Sequence, residues 1–182
     1  LTENNKVKGL KCMDTETGEE IEFSGEVVIN AAGPWSRELS AKFDKDYPDL
    51  FKKNLMLWNI LFDRKAPSDC AMGLTPQRGH GHTYFFHPWK GRLLVGTGEI
   101  IVDDIKNDVK VPGKEIDKFI DDVNSAIPGI DLKKKDILKI YSGLLPASES
   151  GDLSKRPATI DHSTNGGPVG LYSISGVKFT TS

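Results

Sequence analysis

The stretch Val27-Val28-Ile29-Asn30-Ala31-Ala32-Gly33-Pro34-Trp35 decides the fold of this chain. Its apolar first half, together with Glu26, predicts a strand over 26–30 that is buried on both faces. Ala31-Ala32-Gly33 follows, and residues with so little side chain let a ligand approach the backbone closely. Pro34 suits the first turn of a helix, where its missing N–H costs nothing. The stretch predicts either a ligand-binding turn or a tight strand-to-helix turn without a ligand.

A second segment of this kind lies at the other end of the chain, Ser175-Gly176-Val177-Lys178-Phe179-Thr180-Thr181. Gly176 permits a tight turn, and the two threonines can cap a helix that begins there. The N-terminus of a helix stabilises anionic atoms, and Lys178 adds a cation within reach of a carboxylate or phosphate. A capped helix with a solvated lysine is the alternative interpretation.

Between these segments, strands alternate with one long helix. Strands over 7–13 and 20–23 flank a polar turn with Gly18, which predicts a β-hairpin. Trp35, Leu39 and Phe43 recur every four residues and predict the apolar face of a helix. Further predicted elements are strands over 55–63, 83–87, 92–97, 137–141 and 169–174, a hairpin connection at 88–91, and an amphipathic helix over 116–127.

This succession predicts an α+β fold, an antiparallel sheet with covering helices. Residues 46–147 would form that module. Residues 1–45 and 148–182 would be pieces of a second domain, which the chain leaves and later re-enters.

Composition excludes several classes of function. The chain has 182 residues with 24 basic and 26 acidic side chains, so no basic field gathers nucleic acid. Cys12 and Cys70 are too few for a disulfide framework. No apolar run approaches the length of a membrane span. The sequence predicts a cytoplasmic protein and leaves a peripheral membrane contact open.

The order of the motifs resembles FAD-dependent glycerol-3-phosphate dehydrogenases and oxidases, in the D-amino-acid oxidase superfamily. The motifs are the turn at 31–33, the hairpin Phe86–Thr97, Tyr141-Ser142-Gly143-Leu144-Leu145-Pro146, Asp161-His162 and the segment 170–178. The resemblance covers residues 26–181 and rests on order and spacing, since no single motif is specific. A strand followed by Gly-x-Gly-x-x-Gly, which the resemblance places first, is absent. The resemblance therefore implies a fragment that holds mostly the substrate domain, flanked by pieces of an FAD-binding domain.

The resemblance also assigns site residues. Those implied to contact FAD are Ala31, Ala32, Gly33, Gly143, Gly176, Lys178, Phe179 and Thr180. Lys178 would also face the substrate, and His82 is the second candidate catalytic residue. The parent enzyme would oxidise a C–OH or C–NH group of a small molecule and pass electrons to a quinone, oxygen or a partner protein. The fragment alone is expected to hold no FAD and to be inactive.

Two positions depart from the pattern that the resemblance implies. Leu145 stands where an arginine would hold a phosphate or carboxylate of the substrate, and Asn59 stands where a histidine would lie near the substrate. Losing a bidentate cation weakens the prediction of a phosphate substrate, and losing the histidine removes one candidate base. His82 is the candidate to replace that histidine.

The histidines do not decide which chemistry the site performs. His80, His82 and His87 invite a metal interpretation, but no further ligand supports it, and no metal site is predicted. A non-enzymatic module that binds a small molecule or a protein, and a degenerate homologue without activity, are the two alternatives to the flavoenzyme. A Gly-x-Gly-x-x-Gly motif upstream in the reading frame would favour the flavoenzyme.

Overall fold

Short strands dominate the chain and form four sheets in the computed structural model, among the residues that it describes. The structure describes residues 1–43, 53–76, 82–103, 110–148, 150–153 and 157–177. The strands are β1 (Thr2–Glu3), β2 (Lys6–Val7), β3 (Gly9–Met13), β4 (Glu20–Ser24), β5 (Val28–Asn30), β6 (Lys53–Phe62), β7 (Met72–Leu74), β8 (Tyr84–Trp89), β9 (Arg92–Val102), β10 (Ile137–Ala147), β11 (Ala158–Asp161) and β12 (Leu171–Ser175). The α-helices are α1 (Ser36–Ser40) and α2 (Gly113–Ala126).

The chain divides into two units. The first unit comprises Leu1–Asn54, Asp103–Ile105 and Leu145–Ser182, and the second comprises Leu55–Val102 and Lys106–Leu144. The chain thus leaves the first unit near residue 54 and returns to it near residue 145. The mostly sheet architecture with few helices agrees with the predicted α+β class. The division into flavin-binding pieces at 1–45 and 148–182 and a substrate domain at 46–147 stays a prediction.

The N-terminal hairpin is confirmed. β3 and β4 pair antiparallel, with Cys12 opposite Ile21. Asp14 closes the turn, because its carboxylate accepts hydrogen bonds from the backbone N–H groups of Glu16 at 2.8 Å and Thr17 at 3.3 Å. These hydrogen bonds lower the pKa of Asp14 below its ordinary value.

A three-stranded sheet in the order β11-β12-β5 forms the centre of the first unit. β12 runs antiparallel to β11 and parallel to β5, with Tyr172 opposite Ile29. Residues about 140 positions apart therefore pair directly, which confirms the predicted proximity of the 26–43 and 170–182 segments for their described parts.

β5 and α1 differ from prediction in what they bury. Ile29 and Val27 are each 58% exposed, so this strand is not covered on both faces as expected. Its neighbour in the sheet is β12 alone, which leaves the other edge open within the described residues. Trp35 lies in a 3₁₀ turn over Gly33–Trp35 and is largely exposed, whereas Ser36 and Ser40 are the buried residues of α1.

The second unit is a five-stranded sheet in the order β10-β6-β9-β8-β7 with α2 packed on one face. The predicted helix at 116–127 is confirmed, with Phe119, Ile120 and Val123 buried. Its side chains meet Met56, Trp58, Ile60, Phe62, Tyr84, Phe86, Leu93, Val95 and Leu132 in one hydrophobic core. No helix of the described chain is long and apolar enough to cross a membrane.

Three strands of this sheet end later than predicted, and the first is β8, which continues past His87 to Trp89. β9 continues past Thr97 to Val102, and β10 continues through Ser142 and Gly143 to Ala147.

The hairpin between β8 and β9 is confirmed and turns at Lys90-Gly91, whose φ values are 49° and 78°. Two positive φ values in a two-residue loop are typical of a type I′ turn, whose twist matches the strands that it joins.

Candidate functional site

The carboxyl ends of β5 and β12 lie at the same edge of their sheet, because the two strands are parallel. β5 ends at Asn30 and continues into Ala31-Ala32-Gly33, and β12 ends at Ser175 and continues into Gly176. Open sheets of this kind bind ligands outside the carboxyl ends of parallel strands. The structure therefore brings the two predicted small-residue turns together.

The backbone is open at the first turn, and a glycine begins the second. Gly33 has a φ of 57°, and no atom lies within 4 Å of the position that a Cβ would occupy there. Ala31 and Ala32 are exposed, and Gly176 has a φ of 73°. Left-handed backbone with little side chain is what close approach of a large ligand requires. The turns thus fit a cofactor such as FAD, although α1 is too short for a sizeable dipole.

A buried polar network holds the first turn in place. The Asn30 amide donates to the Ser36 carbonyl at 2.9 Å and reaches the hydroxyls of Ser40 at 3.1 Å and Ser173 at 3.2 Å. Its carbonyl oxygen accepts from the backbone N–H of Ala32 at 3.2 Å. One amide thereby links β5, the turn, α1 and β12.

The network continues into the loop before β12. Ser40 and Ser173 hydroxyls lie 2.8 Å apart, and Nε2 of the fully buried His162 lies 2.8 Å from the Ser173 hydroxyl. Buried polar groups that satisfy one another fix a single arrangement of the elements that carry them. The Ser175 hydroxyl, buried at the end of β12, has no hydrogen-bond partner among the described residues.

The other predicted cofactor and catalytic residues are distributed as follows. Lys178, Phe179 and Thr180 lie outside the described residues. Gly143 lies exposed in β10, within the second unit. His82 belongs to the second unit as well. The assignments of all these residues stay predictions.

His82 lines a cavity of about 310 Å³ between the sheet and α2. Its Nε2 lies 2.6 Å from the Thr97 carbonyl oxygen, and its ring packs edge-on against Tyr84 with centroids 4.8 Å apart. The Tyr84 hydroxyl donates to Asp122 at 3.0 Å. Burial raises the pKa of Tyr84 well above its ordinary value, and the hydrogen bond and the charges of Asp122 and Glu99 raise it further.

The two positions that depart from the family pattern lie on different elements. Asn59 is half-buried in β6, on the face opposite Trp58, since side chains alternate along a strand. A Cβ at Gly96 would overlap the Asn59 amide oxygen, so this glycine leaves room for the amide. Leu145 is exposed near the end of β10. The Leu145 side chain carries no charge in place of the expected arginine, and the Asn59 amide is not a titratable group like the expected histidine.

The histidines do not form a metal site in the described part of the chain, where no group of three or more His, Cys, Asp or Glu side chains converges. His80 lies outside the described residues. His87 is exposed on β8, with its ring 6.0 Å from the Trp89 ring.

Sequence reasoning missed the residues that hold the turn. Asn30, Ser36, Ser40, His162 and Ser173 are all buried, yet none was a candidate. One signal was present, because an asparagine ends an otherwise apolar strand and two serines follow it four residues apart. Buried polar side chains are partnered, so such a position predicts a hydrogen-bonded junction.

Comparison with known proteins identifies the family. The family model for FAD dependent oxidoreductases matches residues 1–181. The aerobic glycerol-3-phosphate dehydrogenase of Staphylococcus haemolyticus is 32% identical over 97% of this chain and 31% of its own length. The mitochondrial glycerol-3-phosphate dehydrogenase of Bos taurus is 26% identical over 99% of this chain and 25% of its own length. The chain thus spans between a quarter and a third of these relatives.

Solved structures agree on the fold. The glycerol-3-phosphate dehydrogenase from Bacillus halodurans, complexed with FAD, superposes with a TM-score of 0.76 at 22% identity, over 99% of this chain and 34% of that one. Glycine oxidase from Bacillus cereus superposes with a TM-score of 0.58 at 20% identity, over 97% of this chain and 42% of that one. The two turns at one sheet edge and the family match over nearly the whole chain lead to one conclusion: this chain belongs to the FAD dependent oxidoreductase family.

Proposed function

We propose that the chain is part of an enzyme that oxidises a C–OH or C–NH group of a small molecule with FAD. The observation that carries this proposal is the sheet edge where β5 and β12 both end, because the turn after β5 leaves backbone open to a large ligand and Gly176 follows β12 at the same edge. The relatives named glycerol-3-phosphate dehydrogenase support the reaction class. FAD, when bound, accepts the hydride that the substrate gives up.

The cofactor would be held by residues of both turns. Ala31, Ala32, Gly33 and Gly176 would border it with their backbone, and Asn30 would keep the first turn in register. Lys178, Phe179 and Thr180, which come after Gly176 and Val177 in the sequence, would join these residues at the cofactor. Gly143 completes the set that the family resemblance assigns.

The open edge of β5 favours further strands beside it. Val27 and Ile29 are each 58% exposed, and one edge of β5 pairs with no strand among the described residues. Such an edge is a template for another strand. The relatives are three to four times longer than the matched region. We infer that a nucleotide-binding segment outside these 182 residues pairs with β5 and supplies most of the FAD affinity.

The substrate would be small and would carry an acidic group. Leu145 cannot form the bidentate contact by which an arginine holds a phosphate or carboxylate. Lys178 would instead attract the acidic group as a single charge. His82 is retained as a second candidate catalytic residue. Hydroxy acids, amino acids and polyol phosphates are the substrate classes to screen, with a quinone, oxygen or a protein as electron acceptor.

Flavin binding tests the proposal directly. The 182-residue chain alone should purify colourless and show no saturable FAD binding at micromolar concentration, because the pyrophosphate turn of a Gly-x-Gly-x-x-Gly motif is absent. The full-length protein should carry a flavin spectrum that a substrate from the screen bleaches. A full-length protein without flavin would contradict the proposal and favour a binding module, and a yellow isolated chain would contradict the inferred extra segment.

Replacing Lys178 by methionine should lower kcat/KM of the full-length enzyme by roughly 100-fold, since one preorganised charge contact is lost. Steady-state kinetics with the best substrate of the screen measure this effect. Lys42→Met, which removes an exposed lysine of the same unit, serves as the control and should leave kcat/KM unchanged. Equal values for both variants would show that Lys178 is only a surface residue.

A further inference from the structure

The hairpin of β3 and β4 has an apolar face that is largely exposed. Leu10 is paired with Phe23 and Cys12 with Ile21, so all four side chains lie on one face of the hairpin. Leu10 is 40% exposed, Ile21 39% and Phe23 57%. A hairpin of two strands is marginally stable in water, and independent stability takes a third strand or a packed helix. The hairpin therefore lacks a neighbour.

β3 also has a free edge, because its only sheet partner among the described residues is β4. In an antiparallel pair, residues that exchange hydrogen bonds alternate with residues that do not. The Asp14 N–H donates across the hairpin at 2.8 Å, so Cys12 and Leu10 are the next residues of β3 that bond to β4. The backbone N–H and C=O groups of Lys11 and Met13 therefore point away from β4, toward the free edge.

The first residue of the chain lies at the start of this free edge. The Leu1 nitrogen donates to the Gly9 carbonyl at 3.0 Å, and the Leu1 carbonyl accepts from the Lys8 N–H at 2.9 Å. Two residues opposite one form a β-bulge. β1 runs antiparallel to β2 next to this bulge, with Thr2 opposite Val7. The backbone at Leu1 is therefore directed along the free edge of β3 and antiparallel to it.

We propose that, in the full-length protein, the residues directly before Leu1 form a third strand that pairs with the free edge of β3. The bulge sets the register of this strand. The second residue before Leu1 lies opposite Lys11 and exchanges both backbone hydrogen bonds with it, and the fourth does the same with Met13. The first and third residues lie opposite Leu10 and Cys12, where their side chains extend the apolar face. The inference does not rest on FAD binding or on the proposed oxidation.

The sequence upstream of Leu1 gives the first test. The second and fourth positions before Leu1 must supply N–H groups, so a proline at either position contradicts the proposed register. The first and third positions should be apolar, because they join Leu10 and Cys12 on one face. Charged residues at both of these positions would overturn the proposal.

Amide hydrogen exchange in the full-length protein tests the pairing itself. The Lys11 and Met13 amides should exchange at least about 100-fold more slowly than those of Glu20 and Glu22, which point to the outer edge of β4. Equal exchange at the two edges of the hairpin would overturn the proposal, whether it is fast or slow. Protection that is lost on dilution would identify a second copy of the chain as the occupant and would overturn it as well.

Two proline variants at opposed positions give a matched comparison. Lys11 and Glu22 lie opposite each other, and both N–H groups point away from the facing strand of the hairpin. Lys11→Pro removes a hydrogen bond to the proposed strand, so it should lower the Tm of the full-length protein by about 5 °C. Glu22→Pro removes an N–H from an edge that pairs with no described strand, and it should lower the Tm by no more than about 1 °C.

A further variant separates the lost N–H from the lost lysine side chain. Lys11→Ala removes the exposed ion pair with Glu20, at 2.7 Å, but keeps the N–H, so its Tm should match that of Glu22→Pro. Equal shifts for the two proline variants would show that no strand pairs with β3 and would overturn the proposal. Should Lys11→Pro fail to fold, the exchange comparison on the wild-type protein decides alone.

Discussion

Replacing Phe119 by alanine should lower the free energy of unfolding of the second unit by about 4 kcal/mol. Phe119 is 2% exposed and joins α2 to the sheet, with its ring 5.2 Å from Tyr84 and 6.4 Å from Trp58. Truncation removes the largest side chain that α2 contributes to the core and leaves a cavity among rigid aromatic neighbours. The lost burial and the cavity both add to the cost.

Urea unfolding followed by Trp58 fluorescence measures this change, after Trp35→Phe and Trp89→Phe have removed the two exposed tryptophans from the signal. Phe85→Ala is the matched control, because Phe85 is 60% exposed on the opposite face of β8. It should change the free energy by no more than about 0.5 kcal/mol. Equal losses for the two variants would show that α2 does not pack on the sheet through Phe119.

Asn30→Leu should destabilise the first unit by about 2–4 kcal/mol, although leucine has a similar volume and is less costly to bury. The variant leaves the Ser36 carbonyl and the Ala32 N–H without the partner that the asparagine amide gives them. It also removes the amide contacts to Ser40 and Ser173. Leaving the buried Ser36 carbonyl short of this donor costs about 1–3 kcal/mol, and losing the hydrogen bond to the partly exposed Ala32 N–H adds about 1 kcal/mol. The two hydroxyls still pair with one another.

Thermal unfolding and amide hydrogen exchange at residues 31–33 measure the two consequences, lower stability and a loosened turn. Thr159→Val is the control, since it removes an exposed hydroxyl from β11 of the same sheet. If Asn30→Leu matches the wild type in stability and in exchange at the turn, the network is not what positions Ala31-Ala32-Gly33.

Local signals predicted the elements that depend on neighbours in sequence. Apolar residues from Ile116 to Ile127 at helical spacing gave α2, and Pro128-Gly129 marked its end. The predicted hairpin connection at 88–91 contains the turn between β8 and β9, which the structure narrows to Lys90-Gly91. The lengths of β9 and β10 were underestimated, because Gly98 and Gly143 weaken a strand pattern whose pairing comes from distant strands.

The candidate site was only partly predictable for the same reason. Small residues after a strand mark Ala31-Ala32-Gly33 and Gly176 as places where backbone can be approached. Their proximity depends on the parallel pairing of β5 with β12, across about 140 residues. For the segment after Gly33, apolar periodicity predicted that Trp35, Leu39 and Phe43 form the buried face. Ser36 and Ser40 are buried instead, because their hydrogen-bond partners come from β5 and β12.

By itself, the sequence determined most of the secondary structure, the α+β class, the family and the two small-residue turns, since these follow from local backbone preferences and from the order of short motifs. Only the tertiary structure decided which residues meet. It joined Asn30 to Ser173, left Ile29 exposed on an edge that no described strand covers, and placed Trp58 and Asp122 at one cavity. These contacts depend on pairings and packing between distant segments, and the burial energy that selects them is a property of the whole fold.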